Sequence, residues 1–165
     1  MKLIAAVDSN WGIGYEGNLL KRIPEDMKFF KENTIGKVVV MGRQTLDSLP
    51  GGNPLKGRVN IVMTKNMSLI REGIVFCSSI EDLFKEVKRY NEDDVFVIGG
   101  ESIYKLLLPY CKEALITKIK ETYVADKHIP DLDSLADWNL SYESQLYWCD
   151  KTAFTFNTYK NSKVK

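Results

Sequence analysis

One histidine, His128, stands alone among 165 residues, and its solitude removes whole classes of chemistry. A metal cluster built on several histidines is impossible, and a Ser-His-Asp triad is a poor fit. Cysteine is nearly as scarce. Cys77, Cys111 and Cys149 are odd in number and show no C-x-x-C spacing, so they suggest neither a disulfide framework nor a zinc site. Reduced thiols in a cytoplasmic protein fit them best. Charge of one sign is not in excess either: the net is +1, which leaves no broad basic face for gripping nucleic acid. The apolar run that begins at Leu3 is too short for a signal peptide or a membrane span, and no later run is longer. Repeats, linkers and low-complexity segments are missing too. What remains is ordinary for a soluble globule, with 44% hydrophobic and 27% charged residues. The expectation is one α/β domain over residues 1–160 with a polar tail at 161–165.

The most informative stretch is Val95-Phe96-Val97-Ile98-Gly99-Gly100-Glu101-Ser102-Ile103-Tyr104, which passes from strand grammar to helix grammar across two glycines. Four consecutive apolar residues predict a strand covered on both faces. Gly99-Gly100 permits a sharp turn and a close approach from above, because no Cβ intervenes. The helix predicted from Glu101 to Leu108 aims free N–H groups at that spot. Two readings stand: a tight turn without a ligand, or a turn that admits an anionic one. A full G-x-G-x-x-G is not present.

In chain order, Leu3 to Val7 predicts a buried strand ended by Asp8-Ser9-Asn10. Gly12, Gly14 and Gly17 then mark a loop able to move or, more plainly, a surface connection. Ile23-Pro24-Glu25-Asp26 opens a helix to about Asn33, with proline and two acids suited to its first turn. Lys37 to Met41 predicts a second buried strand ending in Gly42-Arg43-Gln44-Thr45, again strand, glycine and helix start. Arg58 to Met63 is a third, followed by Thr64-Lys65. In a parallel sheet these ends face one crevice, where Arg43 is placed to meet a phosphate. Gly73 to Phe76 is a short strand, and Ser79-Ile80-Glu81-Asp82 starts a helix. Ala114 to Ile119 is a further strand. Trp138 to Tyr147 and Thr152 to Tyr159 are read as two long strands forming a hairpin, the last of them antiparallel. Asp126 to Pro130 is read as a polar connection.

Asp26 sits beside Phe29 and Phe30 at helical spacing, on the border of an apolar stripe that includes Met27. Partial desolvation there raises a carboxyl pKa and equips it to hold a proton or to pair with an amide-like edge. The plainer reading is that Asp26 only complements the helix dipole.

Ile4-Ala5-Ala6-Val7-Asp8, Trp11-Gly12-Ile13-Gly14, Ile23-Pro24-Glu25-Asp26, Met41-Gly42-Arg43-Gln44-Thr45, Gly57-Arg58, Ile98-Gly99-Gly100 and Ile116-Thr117 occur in an order and spacing that resemble bacterial dihydrofolate reductases, over nearly the whole chain. The resemblance implies an eight-stranded, mostly parallel sheet with an antiparallel C-terminal strand and four flanking helices. It also implies NADPH-dependent reduction of 7,8-dihydrofolate to tetrahydrofolate by a cytoplasmic monomer, with dihydrofolate and antifolate inhibitors as the small-molecule partners. By the same resemblance, Asp26 is the acid that grips the pterin's amino-amide edge, and Thr117 holds it. Ile4 and Ile98 offer backbone carbonyls, while Ala6, Met27, Phe30, Leu49 and Leu55 line the substrate pocket. Arg58 takes the glutamate carboxylate by a bidentate fork. Ala6 and Ile13 contact the nicotinamide; Thr45 and the run Gly100, Glu101, Ser102 and Ile103 hold the pyrophosphate, with Gly42, Gln44, Gly99 and Tyr104 also on the cofactor side. Arg43, Thr64 and Lys65 meet the 2′-phosphate, which favours NADPH over NADH. The loop from Ser9 to Arg22 becomes a lid that Asp126 braces.

One departure stands out. The family usually carries Leu-Pro-Trp before its first helix, whereas this chain has Leu19-Leu20-Lys21. Lys21 is expected to point to solvent, since burying an ammonium is costly; the alternative is an approach to Asp26 that lowers its pKa. Two other functions remain: an NADPH-dependent reductase on the same scaffold, such as one acting on a ribosylated aminopyrimidine, and, from a different class, a non-catalytic nucleotide-binding module.

Overall fold

The β-branched run Val38-Val39-Val40 buries every side chain, and it does so because helices cover both faces of the sheet in which it lies. The computed structural model describes residues 1–165. Its strands are β1 (Lys2–Val7), β2 (Gly12–Gly14), β3 (Val38–Gly42), β4 (Val59–Met63), β5 (Ile74–Cys77), β6 (Val95–Gly99), β7 (Glu113–Ile119), β8 (Lys127–His128), β9 (Trp138–Glu143), β10 (Tyr147–Cys149) and β11 (Thr152–Asn161). The α-helices are α1 (Pro24–Thr34), α2 (Arg43–Ser48), α3 (Ile80–Val87) and α4 (Glu101–Leu107).

The main sheet runs β5-β4-β3-β6-β1-β7-β11, with β9 and β10 both beside β11. Pairs from β5 through β7 are parallel, and β11 is antiparallel to β7. Alternation along each strand divides the core. Val38, Val40, Val95 and Val97 join Leu83 of α3 and Ile103, Tyr104 and Leu107 of α4 on one face. On the opposite face Val39 and Met41 pack with Leu46 of α2, and Ile4, Phe96 and Leu115 meet Phe29 and Phe30 of α1. The Phe29 ring also lies 4.5 Å from Phe156 of β11, centroid to centroid, which sets α1 across the antiparallel edge.

Two expectations need correction. The stretch Trp138 to Tyr147 is not one strand but two, β9 and β10, separated at Ser144 to Leu146. At the break the Ser144 hydroxyl accepts the Phe156 N–H at 2.8 Å, substituting a side chain for a ladder carbonyl. Together β9 and β10 occupy one position across the sheet, so eight positions are filled. The polar connection at Asp126 to Pro130 is also more ordered than expected: β8 within it pairs antiparallel with β2 at the root of the glycine-rich loop. At the other end, β11 continues past residue 160 to Asn161, and the N–H groups of Ser162 and Lys165 donate to Asp137 and Pro109 carbonyls.

Candidate active site

Three strand ends and the first turn of α1 open on the same side of the sheet. Pro24 stands at the start of α1, where its missing N–H costs no helical hydrogen bond. Asp26 follows in the same turn, and the packing of Phe29 and Phe30 against Ile4, Phe96 and Leu115 rolls it toward β7. Thr117 Oγ1 donates to Asp26 Oδ1 at 2.5 Å. Burial raises the Asp26 pKa above the ordinary carboxylate value, and the Thr117 hydrogen bond opposes that rise in part. Asp26 therefore does more than complement a helix end.

Apolar walls surround this carboxyl. Ile4 is buried, while Ala6, Phe30, Leu49, Leu55 and Ile98 are half-buried; Met27 is 40% exposed at the mouth. Lys21 is half-buried and shares a nook of about 30 Å³ with Asp26, Met27, Ala6 and Ile13. Its ammonium has no part in the Asp26 shift. At the far end of the slot, Arg58 Nε donates to Thr34 Oγ1 at 3.1 Å and Nη1 to the Lys56 carbonyl at 3.1 Å. Its guanidinium carbon lies 5.9 Å from the Phe30 ring centroid, within cation–π distance.

The glycine turn lies at the end of β6. Gly99 has φ 131°, a conformation that L side chains rarely adopt, and a Cβ there would lie 3.4 Å from the Tyr104 ring. A Cβ on Gly100 would lie 3.3 Å from Thr45 Oγ1, and one on Gly42 would lie 3.0 Å from Ile103. The two strand-glycine-helix junctions are thus packed against each other. Arg43 is occupied in part, its Nε paired with Asp47 at 3.0 Å. Gln44, Lys65 and Ser102 are exposed, and Thr64 is half-buried with its hydroxyl accepting the Asn66 N–H.

Two residues differ from their expected surroundings. Tyr104 is buried, and its hydroxyl donates to the Ile4 carbonyl at 2.7 Å. The Glu101 carboxylate does not face the glycine turn but accepts the His128 N–H at 2.6 Å. Asp8, expected only to start the turn after β1, has a larger part. Its carboxylate is buried and accepts N–H groups from Asn10, Gly12 and Tyr123 at 2.8 to 3.0 Å, tying the root of the glycine-rich loop to the segment after β7. The Asp8-Ser9-Asn10 turn chemistry carried that signal. Asp126 Oδ2 accepts the Glu16 N–H at 3.0 Å, and Ile13 sits between these two attachments.

Residues 1–161 match the family model described as dihydrofolate reductase. The dihydrofolate reductase of Buchnera aphidicola subsp. Acyrthosiphon pisum (strain APS) is 35% identical over 161 residues, covering 98% of this chain and 90% of its own. That of Bacillus subtilis (strain 168) is 34% identical, covering 88% and 83%. Among solved structures, the dihydrofolate reductase from Enterococcus faecalis complexed with NADP(H) and RAB-propyl superposes with a TM-score of 0.85 at 34% identity, over 97% of this chain and 95% of that one. With a half-buried acid held by a threonine below paired glycine turns, and with relatives matched end to end, this chain belongs to the dihydrofolate reductase family.

Proposed function

We propose that the protein reduces 7,8-dihydrofolate to 5,6,7,8-tetrahydrofolate with NADPH, as a cytoplasmic monomer serving one-carbon and thymidylate metabolism and open to antifolate inhibitors. The observation that carries this reading is the Asp26 to Thr117 hydrogen bond at the floor of an apolar slot. Thr117 occupies Oδ1, so Oδ2 is left to meet the pterin's amino-amide edge. A carboxyl whose pKa burial has raised holds its proton at higher pH than an exposed one, and so favours protonation at pterin N5. Ile4 and Ile98 flank the ring, Phe30, Leu49 and Leu55 take the aminobenzoyl group, and Arg58 pairs with the glutamate α-carboxylate. The nook beside Asp26 has room for a water molecule.

The cofactor side fits as well. A Cβ at these turns would crowd Thr45, Tyr104 and Ile103, and the glycines there let a pyrophosphate approach the backbone N–H groups that open α4. Thr45, Ser102 and Ile103 hold it there, with Gly42, Gln44, Gly99 and Gly100 shaping the approach. Arg43, Thr64 and Lys65 meet the 2′-phosphate, and Ala6 and Ile13 adjoin the nicotinamide. When bound, NADPH supplies the hydride that C6 of the pterin receives. The chain itself aligns the two rings and excludes water.

Mixing protein, NADPH and dihydrofolate and following the nicotinamide near-ultraviolet absorbance tests the reading directly. Cofactor binding without oxidation would instead favour a nucleotide-binding module. Oxidation with a ribosylated aminopyrimidine, and not with dihydrofolate, would favour the sister reductase.

A further inference from the structure

Glu101 immediately follows Gly100, at the turn proposed to receive a pyrophosphate. A carboxylate at that position is electrostatically adverse to an anion, so its presence calls for a partner elsewhere. That partner lies in β8. Glu101 Oε2 accepts the His128 N–H at 2.6 Å, while Oε1 lies 3.5 Å from Lys105 Nζ one turn along α4. Both oxygens are engaged by partners outside the glycine turn. The His128 N–H is the strongest influence holding the Glu101 carboxyl below its ordinary range.

His128 belongs to the segment that holds the lid. In β8, His128 pairs with Gly12 and Lys127 with Gly14. The neighbouring Asp126 N–H donates to the Gly14 carbonyl and the Ile129 N–H to the Trp11 carbonyl, and Asp126 Oδ2 accepts the Glu16 N–H. From Gly100 to the lid is therefore one side chain and one two-residue strand.

We propose that Glu101 is a positioning residue that couples occupancy of the glycine turn by the cofactor to order in the lid, through the carboxylate to His128 N–H bond. This rests on the proposed NADPH binding. A pyrophosphate lodged on the Gly100 to Ile103 backbone fixes the first turn of α4 and with it the direction of the Glu101 side chain. The side chain then steadies β8, and β8 steadies β2. Coupling of this kind is reciprocal: an ordered lid also tightens the cofactor.

The single histidine makes the test specific, because protein labelled with 15N-histidine gives one backbone amide signal, that of His128. Its hydrogen exchange is measured with and without NADP+ in the wild type, Glu101→Ala and Glu101→Gln. In the wild type NADP+ is expected to slow exchange. Glu101→Ala should exchange about tenfold faster, lose the NADP+ response, and show a raised KM for NADPH. Glu101→Gln keeps an acceptor and should restore most of both. Unchanged exchange in Glu101→Ala, or an NADP+ response that survives in it, overturns the coupling while leaving the enzyme reading intact. A wild type that does not bind NADP+ overturns both.

Discussion

Thr117 Oγ1 lies 2.5 Å from Asp26 Oδ1, joining the middle of β7 to the first turn of α1 across 91 positions of sequence. The contact orients the one carboxyl in the slot and tunes it against the burial that raises its pKa. Four expectations follow from this arrangement and its surroundings.

Asp26→Asn keeps the shape of the side chain but cannot exchange a proton. Turnover of dihydrofolate should fall by about a hundredfold or more, with NADPH affinity little changed, as read by kinetics and by cofactor fluorescence titration. Stability moves the other way. The folded pKa lies above the ordinary 3.8, so between the two values the native state binds more protons than the unfolded chain. That contribution is complete below the unfolded pKa and is lost as pH rises through the folded one. Denaturant unfolding should therefore show Asp26→Asn gaining stability over the wild type at neutral pH and not in strong acid.

Thr117→Val removes the hydrogen bond that lowers the Asp26 pKa and leaves burial unopposed. The high-pH decline in hydride transfer should move to still higher pH. A profile that moved down would contradict the assigned donor and acceptor.

Lys21→Trp installs the residue common in the family. Because the ammonium has no part in the Asp26 shift, the pH of the decline should move by less than about one unit, below the effect of a close opposite charge. A stopped-flow pH series measures it.

Arg58→Lys loses the planar fork braced by Thr34 and Phe30. The KM for dihydrofolate should rise about tenfold or more, from the loss of a charge-assisted bond. A pterin substrate without the glutamate should show no change, which separates lost recognition from general damage.

The sequence by itself determined the local elements and much of the inventory. The runs at Leu3, Val38, Val59 and Val95 are short, apolar and rich in β-branched residues, and each became a strand because no other placement buries both of its sides. Pro24 and the paired glycines at 99 and 100 punctuate the chain through backbone geometry alone, which composition displays directly. Only tertiary structure decided which polar groups meet. Nothing near Glu101 in sequence points to His128, 27 positions away, and nothing near Asp8 points to Tyr123, 115 positions away. Such bonds are fixed by where parallel crossovers bring separate loops together at one end of the sheet. Periodicity can show that a carboxylate is half-buried. Its partner depends on a strand order that no local pattern encodes, and for that reason the interrupted edge at Ser144 and the two-residue strand at Lys127 emerged only in the folded chain.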